Sequence, residues 1–342
     1  MQIDRNRLVI VLGMHRSGTS AVSRGLSTLG IELGENLHPP GADNPKGFWE
    51  DRAVLAINEA LLARIGSAYD QLGLVGWELT DAPDISALQQ QAGALFREKL
   101  RHGRCWGFKD PRTARLLSFW KAVAEREACD VGYLIVVRNP ISVAKSLQAR
   151  NRFPLEKSYY LWQEHLVQAI IGTHGQLRVV VDYDLLLEQP GQQWSRVARA
   201  LSLRPPDPAK LSAYTSDFLD AGMRHTYHSR MEFGLDPALP KPVSVAYDWL
   251  QKAARDEVAL DDTDFTQAFN RMQTALADML PALRWMANQD REISLLERTV
   301  AQHNARLQEI YRSRSWRCTR PLRLIEYALR ALARRRPESE ER

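Results

Sequence analysis

The sequence of 342 residues predicts a three-layer α/β/α fold with a mostly parallel central sheet, followed by a helical C-terminal extension. Three observations predict it. Continuous runs of β-branched and apolar residues are typical of strands buried on both faces, as in parallel sheets. These runs alternate with segments of helical periodicity, which indicates βαβ units. The chain after residue 264 is almost wholly helical in composition.

The predicted strands and helices alternate along the first half of the chain. The first strand covers residues 8–12 (LVIVL), and the most apolar one covers residues 131–137 (VGYLIVV). Shorter strands are predicted at residues 105–108 and 179–181, and helices at residues 19–29, 50–64, 86–101, 141–150 and 156–172. Parallel sheets bind ligands beyond the carboxyl ends of their strands. Because three strands end in Gly13, Lys109 and Arg138, we expect these ends to form one site.

Two domains are predicted, an α/β domain over residues 1–260 and a helical extension over residues 261–342. We expect interruptions of the extension near Pro281 and Pro321, because proline does not fit a helix interior. Residues 291–311 are predicted to form one long helix. The final part is rich in arginine, and Glu326 is the only acid between residues 311 and 336.

The composition permits a large core but selects no function. Apolar residues make up 44% and charged residues 25%, which is ordinary for a soluble protein. The formal net charge of +5 suits an anionic ligand, a nucleic acid or an acidic membrane surface equally well. The three cysteines form no CxxC pair and no zinc-type spacing, which indicates a reducing compartment and no metal site. No secretory signal and no stretch of roughly 20 apolar residues is present, so we expect a cytoplasmic protein.

A glycine-containing loop, residues 13–20 (GMHRSGTS), joins the first strand to the first helix. Glycines let backbone N–H groups turn toward one point, and a helix N-terminus adds partial positive charge, so the loop predicts an anion site. A Walker A loop would place Lys after Gly18, where this chain has Thr19. The cation is instead Arg16, inside the loop. A nucleotide-dependent kinase needs that Lys and a Mg²⁺ ligand, and it stays the alternative hypothesis.

The same loop resembles the 5′-phosphosulfate-binding loop of sulfotransferases that use PAPS (3′-phosphoadenylyl sulfate), in which Lys or Arg precedes Ser or Thr, Gly and Thr. The resemblance implies a P-loop NTPase-like sulfotransferase fold. It implies PAPS as donor, a hydroxyl acceptor, no metal and no nucleic-acid partner. It also implies these donor-binding residues: His15, Arg16, Ser17, Gly18, Thr19 and Ser20.

A second basic element follows the strand at residues 131–137. Arg138 stands at the end of this strand, and Ser146 lies eight residues on, in the second turn of the next predicted helix. An Arg fork and a Ser hydroxyl so placed can hold one phosphate. The pair resembles the 3′-phosphate-binding motif of the same family. Together the two motifs cover about residues 7–150 of the chain.

Sulfuryl transfer needs a cation near the leaving phosphate oxygen and a base for the acceptor hydroxyl. Arg16 is the first candidate for the cation. Lys109 is the second, because Lys-Asp-Pro resembles an element of the protein-tyrosine sulfotransferases. Glu50 is the candidate base, since it stands where the catalytic Glu lies in branches of the family that use one. The alternatives for the base are Asp51, Glu35 and His38. A later basic group loosely resembles a segment that closes over the nucleotide: Arg224, His225, His228 and Arg230.

The tail, residues 313–323 (SRSWRCTRPLR), resembles that of bacterial glycosyltransferases that build surface polysaccharides. The resemblance implies an acceptor on a carbohydrate or cell-envelope glycan. Apolar residues among the arginines also fit peripheral contact with the inner face of an anionic membrane, with a solvated tail or an oligomer contact as alternatives. A non-catalytic, membrane-docked scaffold for polysaccharide assembly is a third hypothesis, but it leaves both anion-binding motifs unexplained. Residues 34–49 and 66–85 are expected to line the acceptor side.

Overall fold

A four-stranded sheet forms the centre of the protein. The computed structural model describes residues 7–41, 44–73, 85–101, 105–219 and 230–333. Every strand pairing is parallel, and the strands lie in the order β2-β1-β3-β4. They are β1 (Arg7–Gly13), β2 (Trp106–Lys109), β3 (Asp130–Val137) and β4 (Leu177–Asp182). The predicted parallel sheet is confirmed, with strand bounds shifted by two residues or fewer.

Helices fill most of the remaining chain. They are α1 (Thr19–Gly25), α2 (Arg52–Arg64), α3 (Ser86–Lys99), α4 (Leu117–Arg126), α5 (Pro140–Asn151), α6 (Leu155–Gly172), α7 (Tyr183–Glu188), α8 (Pro190–Ala200), α9 (Pro208–Ala213), α10 (Lys241–Ala254), α11 (Thr263–Asp278), α12 (Leu280–Arg312), α13 (Arg314–Cys318) and α14 (Arg320–Ala333).

Both faces of the sheet are covered by helices. On one face, Val9, Val136 and Val181 pack with Val22 of α1 and Trp194 of α8. On the other face, α6 lies against β1 and β3 and contacts α4, α5, α10 and α11. This double burial explains the continuous apolar runs of the strands. The predicted three-layer α/β/α fold is therefore confirmed.

Several helix bounds differ from the sequence prediction for local reasons. The first helix gives way to a 3₁₀ turn at Leu26–Leu29. The second begins at Arg52 because the carboxylate of Asp51 accepts hydrogen bonds from the N–H groups of Ala53 and Val54, which makes Asp51 its N-cap. The sequence analysis missed α4, α7 and α8. Short helices show too few turns for a clear period, and these three lie between strongly patterned segments.

Contacts divide the chain into two compact units, Met1–Arg284 and Trp285–Arg342. The first unit continues beyond residue 260, where the sequence placed the domain boundary. The reason is α11, whose buried Phe265 and Phe269 pack it into the first unit, against α6.

The C-terminal part of the chain is helical, as predicted. Pro281 lies in the first turn of α12 and Pro321 in the first turn of α14, so the interruptions occur where proline was expected to cause them. The predicted long helix, residues 291–311, lies within α12. Among the described residues, none of these or the other helices combines the length and apolarity that crossing a membrane requires.

Candidate active site

The loop between β1 and α1 depends on glycine at two positions. Gly18 is the N-cap of α1 and has φ of 87°, in the left-handed region. A Cβ atom there would lie 2.0 Å from the Tyr183 ring, so a larger residue is excluded by contact as well as by strain. At Gly13, an added Cβ atom would come within 2.8 Å of the carbonyl oxygen of Val136 on the neighbouring strand. Arg16, between them, also has positive φ, of 68°.

The two predicted anion-binding motifs adjoin each other. Arg16 Nε donates to Ser146 Oγ at 2.9 Å, and Arg138 Nη1 donates to the carbonyl oxygen of Arg16 at 3.1 Å. The guanidinium of Arg138 also lies over the Tyr183 ring, 4.9 Å from its centroid. Because β1 and β3 are neighbours, the loops that follow them meet at one edge of the sheet. The expected convergence of the strand ends that carry Gly13 and Arg138 is therefore observed.

Ser146 is held in place by the start of α5. Pro140 occupies the first turn of this helix, and the Asn139 side chain accepts from the N–H groups of Ile141 and Ser142. Proline and an Asn cap both favour a helix N-terminus, so the helix begins directly after the strand. Trp162 of α6 donates from Nε1 to the carbonyl oxygen of Arg138 at 3.1 Å.

Glu50 and Lys109 form a buried ion pair. Lys109 Nζ lies 2.6 Å from Glu50 Oε1, and the two side chains are 2% and 10% exposed, respectively. Lys109 is the last residue of β2, next to β1 in the sheet. The third predicted strand end thus faces the same edge as the loop, and it holds the carboxylate that the sequence proposed as the base. A buried pair of charges is stable only because each neutralises the other.

The alternative bases lie in less suitable positions. Asp51 is committed to capping α2, and its Oδ2 lies 3.7 Å from Lys99 Nζ. Glu35 is exposed, and His38 Nδ1 contacts the carbonyl oxygen of Pro39. None of these three residues lines the cleft described below.

The later basic group proposed from the sequence is only partly described. Arg224, His225 and His228 lie outside the described residues, and Arg230 begins a short 3₁₀ helix, Arg230–Leu235. The prediction that this group closes over a nucleotide stays a prediction.

A cleft of about 620 Å³ opens at the carboxyl edge of the sheet and brings the candidate residues together. In the described part of the chain, its basic side chains are Arg16, Lys46, Lys109, Arg138 and Arg150, and Glu50 is its only acid. Such an excess of positive charge suits a polyanionic ligand. The other sequence-predicted residues that line it are His15, Gly18, Thr19, Ser20 and Ser146.

Ser17 is the one loop residue from the predicted set that does not line the cleft. Its side chain is fully buried, and its Oγ has no hydrogen-bond partner within the protein. Buried polar atoms are normally paired, and this one lies inside the loop, away from the surface of the cleft.

His15 lines the cleft, and its pKa is lowered by its surroundings. Burial, followed by the charge of Arg112 and the neighbouring His165, lowers the pKa of His15 well below its usual value. Its ring meets Tyr69 edge-on, 5.3 Å between centroids. Burial also lowers the pKa of His165, to about 3. Both imidazoles are therefore neutral at neutral pH, and the cations of the cleft are lysines and arginines.

Lys46, Tyr183 and Arg150 are charged or aromatic lining residues to which the sequence assigned no role at the site. Lys46 Nζ donates to the carbonyl oxygen of Phe218 at 2.7 Å and lies over the Phe218 ring. Tyr183 supplies the ring that packs on Gly18 and Arg138. Arg150 follows Ser146 by one turn of α5. The only local signal was the Asn-Pro-Lys-Gly stretch around Lys46, in the segment expected on the acceptor side, whereas the other contacts are between distant parts of the chain.

The donor set fits a nucleotide with several phosphate or sulfate groups, since it consists of basic side chains, hydroxyls and loop N–H groups. Within the described residues, no group of three or more His, Cys, Asp or Glu side chains is arranged to hold a metal ion.

Among known proteins, the chain matches solved structures only by its fold, as follows. No family model matches the chain, and no curated protein sequence is similar to it. One similar structure is a sulfotransferase domain from the olefin synthase of Synechococcus PCC 7002, with 15% identity, a TM-score of 0.41, and coverage of 80% of this chain and 95% of that one. Another is a sulfotransferase domain from the curacin biosynthetic pathway, with 19% identity, a TM-score of 0.38, and coverage of 79% and 96%.

Proposed function

We propose that the protein is a sulfotransferase that moves a sulfuryl group from PAPS to an acceptor hydroxyl. The observation that carries the proposal is the meeting of Arg16, Ser146 and Arg138 at the ends of neighbouring strands, on a loop without the Walker A lysine. A kinase would need that lysine for the β- and γ-phosphates. PAPS instead carries a 5′-phosphosulfate and a 3′-phosphate, so it needs two separate basic phosphate-binding sites.

The two sites are proposed to bind different parts of the donor. The N–H groups and hydroxyls of the β1–α1 loop, with Arg16, are proposed to hold the 5′-phosphosulfate, because a helix N-terminus favours an anion. Arg138 and Ser146 are proposed to hold the 3′-phosphate by bidentate and hydroxyl hydrogen bonds. The hydrogen bond from Arg16 Nε to Ser146 Oγ joins the two proposed phosphate sites at the cleft.

Glu50 and Lys109 are proposed to perform the chemistry on the far side of the loop. The acceptor oxygen attacks sulfur while Glu50 takes the hydroxyl proton, and the bond between sulfur and the phosphate oxygen breaks. The electron pair of that bond leaves on the phosphate of PAP, the 3′,5′-phosphorylated adenosine product. Arg16 and Lys109 stabilise this growing negative charge. The ion pair with Lys109, at 2.6 Å, fixes the position of the Glu50 carboxylate at the wall of the cleft.

A glycan hydroxyl is the acceptor that we propose, on the basis of the tail. The tail helix α14 places exposed Leu322, Ile325 and Leu329 on one side and Arg320, Arg323 and Arg330 on another. A basic helix of this kind suits the surface of an anionic membrane, where lipid-linked glycans are assembled. Flotation with anionic and with zwitterionic vesicles tests the membrane part. We expect binding to anionic vesicles only, and binding to neither kind would remove this support for the glycan acceptor.

The donor assignment is tested by calorimetric titration of the full-length protein with PAP and, separately, with ATP and Mg²⁺. We expect PAP to bind and Arg138→Ala to weaken it by at least about thirtyfold, since loss of a charged partner typically costs 2–5 kcal/mol. Metal-dependent binding of ATP without binding of PAP would replace the sulfotransferase with the kinase.

The base is tested with radiolabelled PAPS and a panel of glycan acceptors. Glu50→Gln is expected to abolish transfer while PAP binding persists, because the amide cannot take the proton. Glu35→Gln is the matched control, since Glu35 is an exposed acid away from the cleft, and it is expected to keep full activity. If Glu50→Gln transferred sulfate as well as the parent, the assigned role of Glu50 would be wrong. If Glu50→Gln and Arg16→Ala changed only localisation, the scaffold hypothesis would be favoured.

A further inference from the structure

The long helix α12 carries an apolar seam with the spacing of a coiled coil. Apolar residues hold six of the eight a and d positions in the heptads from Met286 to Ile310, and Gln289 and His303 hold the other two. The seam is formed by Ile293, Leu296, Val300, Leu307 and Ile310, and Met286 extends it by one heptad. From Met286 to Ile310 the repeat covers 25 residues, about three and a half heptads, which is the length that argues for a coiled coil.

The seam is exposed in the single chain. Its five residues from Ile293 to Ile310 are 42–58% exposed, although apolar side chains of this size are normally buried. They are all in the second compact unit of the chain. The f positions, outermost in a coiled coil, hold Arg291, Arg298, Ala305 and Arg312.

A second copy of the same helix fits this seam better than a membrane does. A repeat of 3.5 residues stays on one line only when two helices wind around each other. The seam is narrow, and the flanking e and g positions hold three acids, Asp290, Glu292 and Glu297, against one base, Arg306, which does not suit an anionic lipid surface. α14 differs, since arginines border its apolar face. We propose that α12 pairs with α12 of a second copy to form a parallel, two-stranded coiled coil.

Residue types along the seam favour this geometry. In a parallel pair in register, every apolar layer meets an apolar layer, and the polar d residues Gln289 and His303 each meet their own copy, which fixes the register. β-branched Ile293 and Val300 at a positions, with Leu296 at the d position between them, favour two strands in a parallel coiled coil. Leu307 at a and Ile310 at d have the opposite preference, so the first part of the seam specifies the two-stranded state.

The size of the contact sets the expected affinity. A 25-residue strip is about 38 Å long, and helices pack about 10 Å apart, so the pair covers at least about 800 Å² in total. This area lies at the weak end of specific interfaces. We therefore expect a reversible dimer with a dissociation constant in the micromolar range, and not a permanent one.

Sedimentation of the full-length protein over a range of concentrations tests the dimer, with twice the 39.0 kDa chain mass expected at high concentration. Leu296→Asn is expected to weaken association at least about tenfold. Leu295→Asn is the matched control, because Leu295 is the adjacent residue, is 64% exposed and lies at a c position off the seam. It is expected to associate like the parent. Unchanged PAP binding and circular dichroism would show that both variants are folded.

Three outcomes would overturn the proposal. The parent chain could stay monomeric up to about 100 µM, or Leu296→Asn could associate as strongly as the parent. The third outcome is a monomeric parent chain whose binding to anionic vesicles is abolished by Leu296→Asn but not by Leu295→Asn. That result would assign the seam to a membrane.

The parallel arrangement has its own test. Val300→Cys, made in a Cys318→Ser background to remove the exposed native thiol, is expected to form a disulfide between two copies under mild oxidation. Residues at equivalent a positions face each other only when the strands are parallel and in register. A dimer that forms no such disulfide would refute the parallel arrangement.

Discussion

The buried ion pair between Glu50 and Lys109 is the contact that a double-mutant cycle can measure most directly. The cycle compares Glu50→Gln, Lys109→Met and the double variant with the parent. Each single change leaves one charge without its partner, in a place where water hardly reaches the lysine. The double change removes both charges, and Met fills most of the volume of the lysine stem.

The magnitude follows from the exposure of each side chain. Removing one partner of a fully buried pair costs about 3–5 kcal/mol, mostly for the charge left behind. Glu50→Gln leaves Lys109, 2% exposed, with only an amide oxygen to donate to, so we expect a cost of about 3 kcal/mol. Lys109→Met leaves Glu50, 10% exposed at the cleft wall, where water can reach it, so we expect about 2 kcal/mol. The double variant should lose about 2 kcal/mol or less, because no unpaired charge remains.

The assay is urea unfolding followed by circular dichroism, with the free energy of unfolding extrapolated to water. We expect a coupling energy of about 3 kcal/mol or more, because the single losses sum to about 5 kcal/mol while the double variant loses about 2 kcal/mol or less. The control is the pair Arg97–Glu127, which has the same 2.6 Å separation but an Arg97 side chain that is 61% exposed. Its coupling should stay below about 1 kcal/mol. Additivity within about 0.5 kcal/mol at Glu50 and Lys109 would refute the reasoning. Sulfate transfer should stay lost in the double variant, which separates catalysis from stability.

Further predictions concern the β1–α1 loop, the proposed 3′-phosphate site at Arg138 and the buried carboxyl group of Asp182. Gly18→Ala should reduce PAP affinity at least about tenfold, because its Cβ would meet Tyr183. Gly30→Ala is the control, since Gly30 has φ of 75° and nothing within 4 Å of an added Cβ. It should lower the free energy of unfolding by about 1–2 kcal/mol, the strain of a left-handed backbone, and leave PAP binding intact. Calorimetry and urea unfolding measure the two effects, and equal PAP affinity in both variants would contradict the assignment. Arg138→Lys should bind PAP more weakly than the parent but more strongly than Arg138→Ala, because a lysine keeps the charge and loses the bidentate fork. Burial raises the pKa of Asp182 to about 6, so the folded protein keeps this proton where the unfolded chain has released it, and stability should fall as the pH rises from about 4 to 7. Relative to Asp182→Asn, the parent should lose about 3 kcal/mol over that range, and a pH-independent difference in unfolding energy would show that Asp182 does not titrate in this way.

The central sheet and the glycine-containing loop after β1 could be predicted from the sequence because their signals are local. Five consecutive apolar residues from Leu8 to Leu12 are fully buried, as the unbroken run predicted. The same holds for the spacing that places Arg16 and Gly18 in one turn. Each of these features is specified within a few residues, so no knowledge of distant contacts was needed.

The completed site could not be predicted in the same way, because its contacts join distant residues. Arg16 and Ser146 are 130 positions apart, and their hydrogen bond exists only because β1 and β3 are neighbours in the sheet. Lys46 meets the backbone of Phe218 across 172 positions. No periodicity in either segment indicates such a contact. The helices α4, α7 and α8 were missed for a related reason, since packing against neighbouring elements defines them more than their own short patterns do, α4 against α3 and α6, and α7 and α8 against β4.

The two sides of the cleft differ in how they are held, and this difference bears on where specificity resides. The donor side is built from strand ends and helix starts, where Arg138 is anchored by hydrogen bonds at its carbonyl oxygen and its guanidinium. The acceptor side is built from a loop, in which Asn44 holds the turn by donating to the carbonyl oxygen of Gly47 and Lys46 reaches across to Phe218. Loops on a rigid scaffold change most easily while the scaffold is kept. We therefore expect that exchanging residues 44–48 would alter which hydroxyl is sulfated and would also weaken PAP binding, but less than Arg138→Ala does, because Ser20 of the proposed donor loop accepts a hydrogen bond from Asn44 and donates one to the carbonyl oxygen of Phe48.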